Sequence, residues 1–398
     1  MMQNSALAGI RVVDLSQVLA GPFATMLLAD LGADVIKVEM PGRGDLSRAM
    51  DPRLDDETSG AFLSVNRNKR SVSFDLKQAR GLELLYELLG TADVLVENFR
   101  PGVADRLGVG YKQASARFPR LIYCSISGFG QTGPYASRGG LDLIAQGMSG
   151  IMSVTGTPGG PPVKTGPPIT DLGAGMFAVY GILGALAARD RTGSGQRVDT
   201  SLFEAGIGLS VWEVTEYCYT GRTPQPTGSA HRLSAPYQAL RCRDGYMTVG
   251  ADGQRQWPRF CAVIGRDDLA DDPRFRTNAD RMRNLAELVP LIEERTVEHD
   301  RQHWLELLEQ FGIPAGPINT VPEALADEHT RARGMMVDVE HPTAGHTKAI
   351  GPVVKLSETP ATIRTPAPQL GQHTEDLLRE LGYDDTATGQ LRDKGVVA

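Results

Sequence analysis

Apolar and polar residues alternate along the first half of the chain in a pattern that predicts strands and helices in turn. Short apolar runs bounded by Gly, Pro or Asp indicate strands, and longer runs with one apolar face indicate helices. The predicted strands are 10–15, 33–39, 71–76, 92–96, 121–126 and 196–202. The predicted helices are 21–31, 77–90, 103–107, the apolar run 176–188 with its flanks, and 203–220. Such alternation with short connections is typical of α/β folds, here a Rossmann-like open parallel sheet.

The second half of the chain begins with a segment rich in Pro, Gly and Ser, which is typical of a linker. After it, a hairpin over 237–250, helices and a strand near 316–320 predict a smaller α/β domain. The predicted organisation is a large Rossmann-like domain over 1–204 and 337–398, a linker over 205–236, a small domain over 237–320 and a return linker over 321–336.

Composition narrows the class of protein. The chain has 398 residues, of which 41% are apolar and 22% charged, with a net charge of −7. This acidic balance argues against nucleic acid as a partner. No apolar stretch reaches about 18 residues and no secretory pattern opens the chain, so we expect a cytoplasmic protein without a membrane partner. The four cysteines are scattered and the histidines are not clustered, so we expect reduced thiols and no metal site.

One carboxylate stands where a Pro/Gly-rich loop meets the long apolar helix. Thr170 or Asp171 is a plausible N-cap, because a short polar side chain can accept the unpaired N–H groups of a first turn. Gly193 and Gly195 predict the far end of the helix. The helix dipole also favours an anion at this position, so chemistry is a second interpretation of Asp171. Spacing alone leaves both open.

Two loops at predicted strand ends bear on ligand binding. The loop 127–135 is glycine-rich and follows a strand, at the edge where open α/β folds bind ligands. The crossover 16–22 does not carry G-x-G-x-x-G, so binding of NAD or FAD is not supported, and a nicotinamide dehydrogenase is disfavoured.

Seven short segments, in order along nearly the whole chain, resemble the family III CoA-transferases, a group that includes formyl-CoA transferase, carnitine CoA-transferase and the α-methylacyl-CoA racemases. They are LSQVLAGP (15–22), LGADVIKVE (31–39), VNRNKRS (65–71), VENFRPG (96–102), SGFG (127–130), DLGAG (171–175) and LGQHT (370–374). Any one is weak, but the ordered set is specific.

The resemblance implies that Asp171 is a nucleophile that attacks the thioester of an acyl-CoA, through aspartyl anhydride and aspartyl-CoA thioester intermediates. We expect the helix terminus to keep this carboxylate ionised. Gly173 would let the thioester approach and expose N–H groups to the oxyanion; plain helix packing is its alternative. Asp142 matches an acidic active-site position of the transferases, with a helix N-cap as its alternative.

The resemblance also implies the binding residues. Those matched to coenzyme A contacts are Val18, Leu19, Val65, Asn66, Arg67, Asn68, Lys69, Asn98, Phe99, Arg100 and Arg106. From side-chain chemistry and not from the resemblance, Arg48, Arg138 and His231 are candidates for holding a second carboxylate, since Arg binds that group in a bidentate way, and Gln17 is a further substrate-binding candidate. Met40 departs from the family, which often has Arg there, so that CoA contact is in doubt. No tightly bound cofactor is implied, because acyl-CoA is a substrate.

Two departures select among the family's reactions. Racemases need a second base and have His before the acidic residue, where this chain has Leu141; a leucine cannot move a proton, so a transferase is favoured. The segment Gly228-Ser229-Ala230-His231 lacks the glycine run of formyl-CoA transferase, which argues against formyl-CoA and oxalate. We expect small dicarboxylic acids, with succinyl-CoA as donor. A racemase and a non-catalytic CoA-binding protein are the alternatives. The resemblance further implies a homodimer of interlocked chains.

Overall fold

The structure, a computed structural model, describes residues 5–54 and 58–398. Its strands are β1 (Arg11–Asp14), β2 (Asp34–Glu39), β3 (Lys69–Ser73), β4 (Val94–Glu97), β5 (Ile122–Ser127), β6 (Arg197–Ser201), β7 (Tyr237–Cys242), β8 (Gly245–Gly250), β9 (Ala315–Pro317), β10 (Met336–His341) and β11 (Gly345–Ile350). Its helices are α1 (Ala20–Asp30), α2 (Gly60–Asn66), α3 (Ala79–Leu89), α4 (Val103–Arg106), α5 (Tyr111–Arg117), α6 (Asp142–Met148), α7 (Ile151–Val154), α8 (Ile169–Thr192), α9 (Leu202–Leu209), α10 (Val211–Thr220), α11 (Gln256–Val263), α12 (Asp267–Asp271), α13 (Asn278–Arg283), α14 (Leu285–Thr296), α15 (Arg301–Gln310), α16 (Val321–Ala326), α17 (Glu328–Ala332), α18 (Thr374–Glu380) and α19 (Asp385–Asp393).

The strands predicted for the first half of the chain are all present, with small shifts at their ends. The predicted helix 203–220 is interrupted at Ser210, which separates α9 from α10. The helices that were not predicted are α2, α5, α6, α7, α12, α17 and α19. They are short, and a helix of two turns carries too little periodicity to stand out from its loops.

The chain divides into two compact units. The large unit contains the described residues up to Ile151, with Lys164–Thr220 and Glu328–Ala398, and the small unit contains Met152–Val163 and Gly221–Asp327. The predicted linker over 205–236 is therefore helical to Thr220 within the large unit, and residues 152–163 group with the small unit instead of the large one.

The large unit is built on a parallel sheet whose described strands are ordered β3-β2-β1-β4-β5-β6. This is the Rossmann order, and it confirms the α/β class. Helices α1, α8 and α9 cover one face, while α3, α18 and α19 cover the other. The order reverses between β1 and β4, so a crevice is expected beyond the carboxyl ends of these two strands.

Helix α8 is the long helix predicted from the apolar run. Its first residue is Ile169 and its N-cap is Pro168, so neither Thr170 nor Asp171 caps it, and that prediction is wrong. Gly193 ends the helix with φ of 72°, a left-handed conformation that glycine adopts without cost. By length and hydropathy α8 could cross a membrane, and 44% of its most apolar window is buried against the rest of the chain.

The small unit has an antiparallel sheet in which β8 pairs with both β7 and β9. Helices α11 to α15 pack around it. Its core is rich in fully buried aromatic side chains, among them Trp257, Phe260 and Phe275. The guanidinium of Arg281 is buried there and donates to the carbonyls of Ala235, Phe275 and Asp252, which satisfies its charge without a carboxylate.

A buried network of charges joins β1, β2 and β3. The carboxylate of Asp14 lies 3.0 Å from Lys69 Nζ and 3.9 Å from Lys37 Nζ, and all three side chains are at most 1% exposed. Burial raises the pKa of Asp14, but the two ammonium groups and the hydroxyls of Ser16 and Thr25 outweigh it and hold that pKa well below its usual range. The network is stable only while every charge keeps its partner.

Replacing Asp14 with Asn should therefore destabilise the protein by about 3–5 kcal/mol, because two buried ammonium groups lose their compensating charge. Asp34→Asn is the matched control on the neighbouring strand. Asp34 pairs with Arg11 and Arg70, but its side chain is 23% exposed, so the loss should be about 1 kcal/mol or less. Urea unfolding followed by circular dichroism measures both. Equal losses would contradict the assignment of the Asp14 network as a buried one.

Candidate active site

Asp171 is the third residue of α8 and lies in its first turn, half-buried. Among the described residues, no group donates a hydrogen bond to its carboxylate. Burial, with a contribution from the neighbouring carboxylate of Asp142, raises its pKa to about 6. The sequence predicts a carboxylate kept ionised by the helix terminus, whereas burial and the neighbouring charge of Asp142 both favour its protonated form. The group is ionised only above mildly acidic pH.

Asp142 connects the loop after β5 to the beginning of α8. One of its oxygens, Oδ1, accepts hydrogen bonds from the backbone N–H of Thr170 at 3.0 Å and from the Thr170 hydroxyl at 2.7 Å. The other, Oδ2, accepts from Gln146 Nε2 at 2.7 Å. Asp142 is the first residue of α6, whose N-cap is Leu141. Its carboxylate thus caps α8, a helix that starts 27 residues later in the chain, and not its own.

Two glycines fix the loop that delivers Asp142. A Cβ on Gly128 would lie 2.4 Å from Gly140 Cα, and a Cβ on Gly140 would lie 2.3 Å from Gly128 Cα. Only glycine permits backbones to pass this closely. The glycine-rich loop that was predicted to bind a ligand therefore begins and ends at two backbones in contact. Asp142 follows this contact, near the carboxyl end of β5.

The glycines after Asp171 serve helix packing. A Cβ on Gly173 would lie 2.9 Å from Leu209 Cδ1 of α9, and one on Gly175 would lie 2.8 Å from the carbonyl oxygen of Ala20 in α1. Gly173 is the fifth residue of α8, so its N–H falls within the helical hydrogen-bond ladder and is not a free oxyanion donor. The packing alternative therefore accounts for Gly173, and the predicted catalytic role is not supported by its geometry.

The close contact at Gly175 sets the second turn of α8 against the first turn of α1. The residues just before α1 are predicted coenzyme A contacts. Leu19 is the N-cap of α1, and Val18 before it has φ of 69°. The backbone N–H of Gln17 donates to Asn98 Oδ1 at 2.8 Å, and Asn98 Nδ2 donates to the Gln17 carbonyl at 2.7 Å. This reciprocal pair joins the loops after β1 and β4 at the point where the strand order reverses.

A cavity of about 180 Å³ opens at the carboxyl ends of β1, β2 and β3. Gln17, predicted to contact the carboxylic acid, and Phe99, predicted to contact coenzyme A, both line it, and so does Met40. Lys77 also lines it and is a residue that sequence reasoning missed. The available indication was its place shortly after β3, since ligands of open α/β sheets bind at carboxyl ends.

The segment 65–69 lies inside the protein, and its predicted role in coenzyme A binding is not supported. Lys69 Nζ donates to Asn66 Oδ1 and to Asp14. The guanidinium of Arg67 pairs with Asp30 at 2.7 Å, and Asn68 Nδ2 donates to the same carboxylate at 2.8 Å. The remaining member, Val65, is 5% exposed. The side-chain donors of this segment bond to other parts of the chain, so neither of its cations, Arg67 and Lys69, is available to a ligand.

The arginines predicted to bind substrate or coenzyme A differ in whether a carboxylate of the chain already pairs with them. Arg48 is already held by Glu39, with Nε and Nη2 each bonded to one carboxylate oxygen, and it stacks on Phe62. Its predicted contact with a substrate carboxylate is therefore not supported. Arg100 and Arg106 are exposed and have no ion-pair partner in the described part of the chain. Arg100 lies beside Gly139, about 3.6 Å from where a Cβ would stand.

The two remaining substrate candidates lie in different units. Arg138 belongs to the large unit, is exposed, and stacks on Tyr135 at 3.9 Å from the ring centroid. His231 belongs to the small unit, where its ring stacks on Tyr237 with centroids 5.0 Å apart. Over residues 5–54 and 58–398, no group of three or more His, Cys, Asp or Glu is arranged to hold a metal ion.

Comparison with known proteins identifies relatives over nearly the whole chain. Residues 7–374 match the model of CoA-transferase family III. The chain is 41% identical over 392 residues to succinyl-CoA:glutarate CoA-transferase of Mus musculus, covering 98% of this chain and 90% of that protein. It is 38% identical over 417 residues to formyl-CoA:oxalate CoA-transferase of Streptomyces coelicolor, covering all of both.

A solved structure agrees with these sequences. The crystal structure of a CaiB/BaiF family protein from Brucella suis has a TM-score of 0.85 and 40% identity, covering 95% of this chain and all of that one. The Rossmann order of the sheet, the ordered motifs and these matches agree. The chain is a transferase that belongs to CoA-transferase family III.

Proposed function

We propose that this enzyme moves coenzyme A from succinyl-CoA to a small dicarboxylic acid, with Asp171 as nucleophile. The observation that carries the proposal is the carboxylate of Asp171 itself. It is half-buried at a helix N-terminus, has no hydrogen-bond donor in the described chain, and has a pKa raised to about 6. A carboxylate with free lone pairs and raised basicity is a better nucleophile than a solvated one.

In the proposed reaction, Asp171 attacks the thioester carbonyl of the donor. The carbon–sulfur bond breaks, coenzyme A leaves as a thiolate, and a mixed anhydride of Asp171 and the donor acid remains. The thiolate then attacks the Asp171 carbonyl, which releases the donor acid and forms an aspartyl-CoA thioester. An acceptor carboxylate repeats both steps in reverse order, and Asp171 is regenerated. No ATP is needed, because each intermediate keeps the energy of the thioester.

The beginning of α8 also offers donors for the oxyanion of each step. Of its first three backbone N–H groups, that of Thr170 is taken by Asp142, while those of Ile169 and Asp171 have no partner within residues 5–54 and 58–398. N–H groups at a helix N-terminus stabilise developing negative charge. These two, and not Gly173, are the oxyanion donors that we assign.

The cavity at the switch point supports binding of coenzyme A. Phe74 and Phe99 offer apolar surface, Gln17 offers polar groups and Lys77 a cation, which together suit an adenosine and its phosphates. The dicarboxylate class rests on Arg138, an exposed guanidinium near the end of the loop before Asp142, and on glutarate in the name of one relative. A second carboxylate on the acceptor would pair with it.

Trapping the covalent intermediate tests the nucleophile. Incubation with succinyl-CoA, followed by peptide mass spectrometry, should find coenzyme A on the peptide that contains Asp171, and hydroxylamine should remove it. Asp171→Asn should lose at least about 10³-fold in kcat and form no adduct, because the amide cannot form the anhydride. Asp190→Asn, on the last turn of the same helix, is the matched control and should retain activity. Full activity in the Asp171 variant would refute the assignment.

The pH dependence follows from the raised pKa of Asp171. Below about pH 6 its carboxyl group is protonated and cannot attack, so kcat/KM should fall there and level off above it. Asp142→Asn removes the like charge and should move this inflection to lower pH. Steady-state rates at saturating acceptor measure both profiles, with circular dichroism at each pH as the control for unfolding. An inflection unchanged in Asp142→Asn would exclude this coupling.

A substrate panel tests the dicarboxylate class. We expect exchange of coenzyme A between succinyl-CoA and glutarate, mesaconate, malate or oxalate, with oxalate the poorest acceptor. Arg138→Gln should raise KM for the acceptor about tenfold, the loss of one charge-assisted hydrogen bond, and should raise KM for succinyl-CoA similarly, because the succinyl group carries the same free carboxylate. Arg191→Gln, an exposed arginine at the end of α8, is the control. Activity confined to long or branched monocarboxylates would overturn the class.

We further propose that the active protein is a homodimer of interlocked chains, in the cytoplasm and away from membranes. The support is an apolar face of the large unit on α8, α9 and α10. Its exposed side chains include Tyr180 (78%), Trp212 (66%) and Tyr219 (86%), an arrangement that marks an interaction surface. The free cysteines are consistent with a reducing compartment.

Light scattering across a dilution series tests the assembly. We expect a dimer at every concentration until urea unfolds the chains, since interlocked chains cannot separate while folded. Trp212→Glu should lower the yield of folded protein, because it places a charge within the apolar face. A folded monomer under native conditions would contradict the interlocked arrangement.

A further inference from the structure

Val18 has a backbone conformation that its side chain disfavours. Its φ of 69° lies in the left-handed region, which β-branched residues rarely enter. Such a conformation costs about 1–3 kcal/mol and persists only where surrounding contacts impose it. The side chain is 36% exposed, so packing of the isopropyl group does not impose it. The cause lies in the backbone contacts of the crossover between β1 and α1.

The carboxylate of Asp45 supplies the contact. Its Oδ1 accepts the backbone N–H of Val18 at 3.0 Å and both the N–H and the hydroxyl of Ser47 at 2.8 Å. Its Oδ2 lies 2.8 Å from Lys37 Nζ, and both side chains are at most 1% exposed. Lys37 in turn donates to the carbonyl of Ser16 at 2.7 Å. Val18 is therefore held on both sides, by Asp45 directly and through Ser16 by Lys37.

The same carboxylate forms part of the candidate coenzyme A cavity. Asp45, Lys37 and Gly44 line its wall, and so do Ser16 and Gln17 from the crossover. The loop 40–48 and the crossover 15–19 are thus two sides of one cavity, and the Asp45–Lys37 pair is the connection between them. A shift of Val18 would carry Gln17 with it, since the two are adjacent in the chain.

We propose that Asp45 is a positioning residue for acyl-CoA. It holds the crossover 15–19 in the strained conformation that gives the cavity its shape, and it takes no part in the chemistry at Asp171. This inference rests on the proposed function, because it assumes that the cavity binds the coenzyme A portion of the donor.

A double-mutant cycle between Asp45→Asn and Val18→Gly tests it. The amide cannot accept hydrogen bonds on both sides, so it must release either Lys37 or the Val18–Ser47 donors. We expect Asp45→Asn to raise KM for succinyl-CoA about tenfold, with kcat at saturating donor within about twofold of wild type. Glycine adopts positive φ without strain. In the Val18→Gly background, Asp45→Asn should therefore raise KM by less than about threefold.

Two controls separate positioning from loss of stability. Asp34→Asn breaks ion pairs at the amino end of β2, away from the cavity, and should leave KM for succinyl-CoA unchanged. Urea unfolding of each variant shows whether the change in KM follows the change in the free energy of unfolding. If Asp45 had a purely structural role, Val18→Gly would not reduce the increase in KM that Asp45→Asn causes. An unchanged KM in Asp45→Asn, or a tenfold increase that persists in the Val18→Gly background, would overturn the proposal.

A third variant covers the case in which Asp45→Asn does not fold. Val18→Pro fixes φ near −65° and removes the N–H, while the Asp45–Lys37 pair remains. It should raise KM for succinyl-CoA more than about tenfold relative to Val18→Ala, which keeps the N–H; equal KM values would overturn the proposal. Calorimetric titration with free coenzyme A distinguishes failure of the proposed function from failure of the positioning role of Asp45. If no donor supports turnover, the proposed function fails. The double-mutant cycle is then measured with the Kd for coenzyme A in place of KM, and it decides the role of Asp45.

Discussion

The large unit depends on compensation among charges that its sheet has removed from water. Asp14, Lys37, Lys69 and Asp45 come from β1, β2, β3 and the loop after β2, and each is nearly inaccessible to solvent. Isolated, each would cost several kcal/mol, so the strands and the loop can adopt only the arrangement in which the charges meet. The network thereby fixes the edge of the sheet that carries the cavity, as apolar packing alone would not.

The class of fold was predictable because it rests on local pattern. The parallel strands β1 and β4 carry short apolar runs, Val12–Val13 and Val94–Val96, and the apolar run of α8 is long enough to mark a helix. The topology and the family motifs then placed Gln17, Asn98 and Asp171 correctly near strand ends and a helix terminus. The ends of elements were less certain, since α8 begins two residues before Asp171 for reasons that lie elsewhere in the chain.

What failed in the prediction depends on partners distant in sequence. A run such as Arg67–Asn68–Lys69 has the composition of a solvated or phosphate-binding surface, yet Asn68 accepts from the backbone of Arg364 and Thr365, about 300 residues away. The cap of α8 comes from Asp142 for the same kind of reason. Arg48 was misassigned because its partner Glu39 ends a strand, and nothing local marks the two as a pair. No spacing rule contains this information.

The crossing of Gly128 and Gly140 has a consequence for how the protein can vary. Because the two backbones are in contact, the eleven residues from 129 to 139 form a loop whose ends are held together. The ends of this loop therefore stay in place when its tip changes. The entropy of closing such a loop grows only slowly, by about 0.6 kcal/mol for each doubling of length. Insertions, deletions and changes of shape within this loop therefore leave the position of Asp142 unchanged. The surface beside α8 can diversify while the geometry of the first turn of that helix stays fixed.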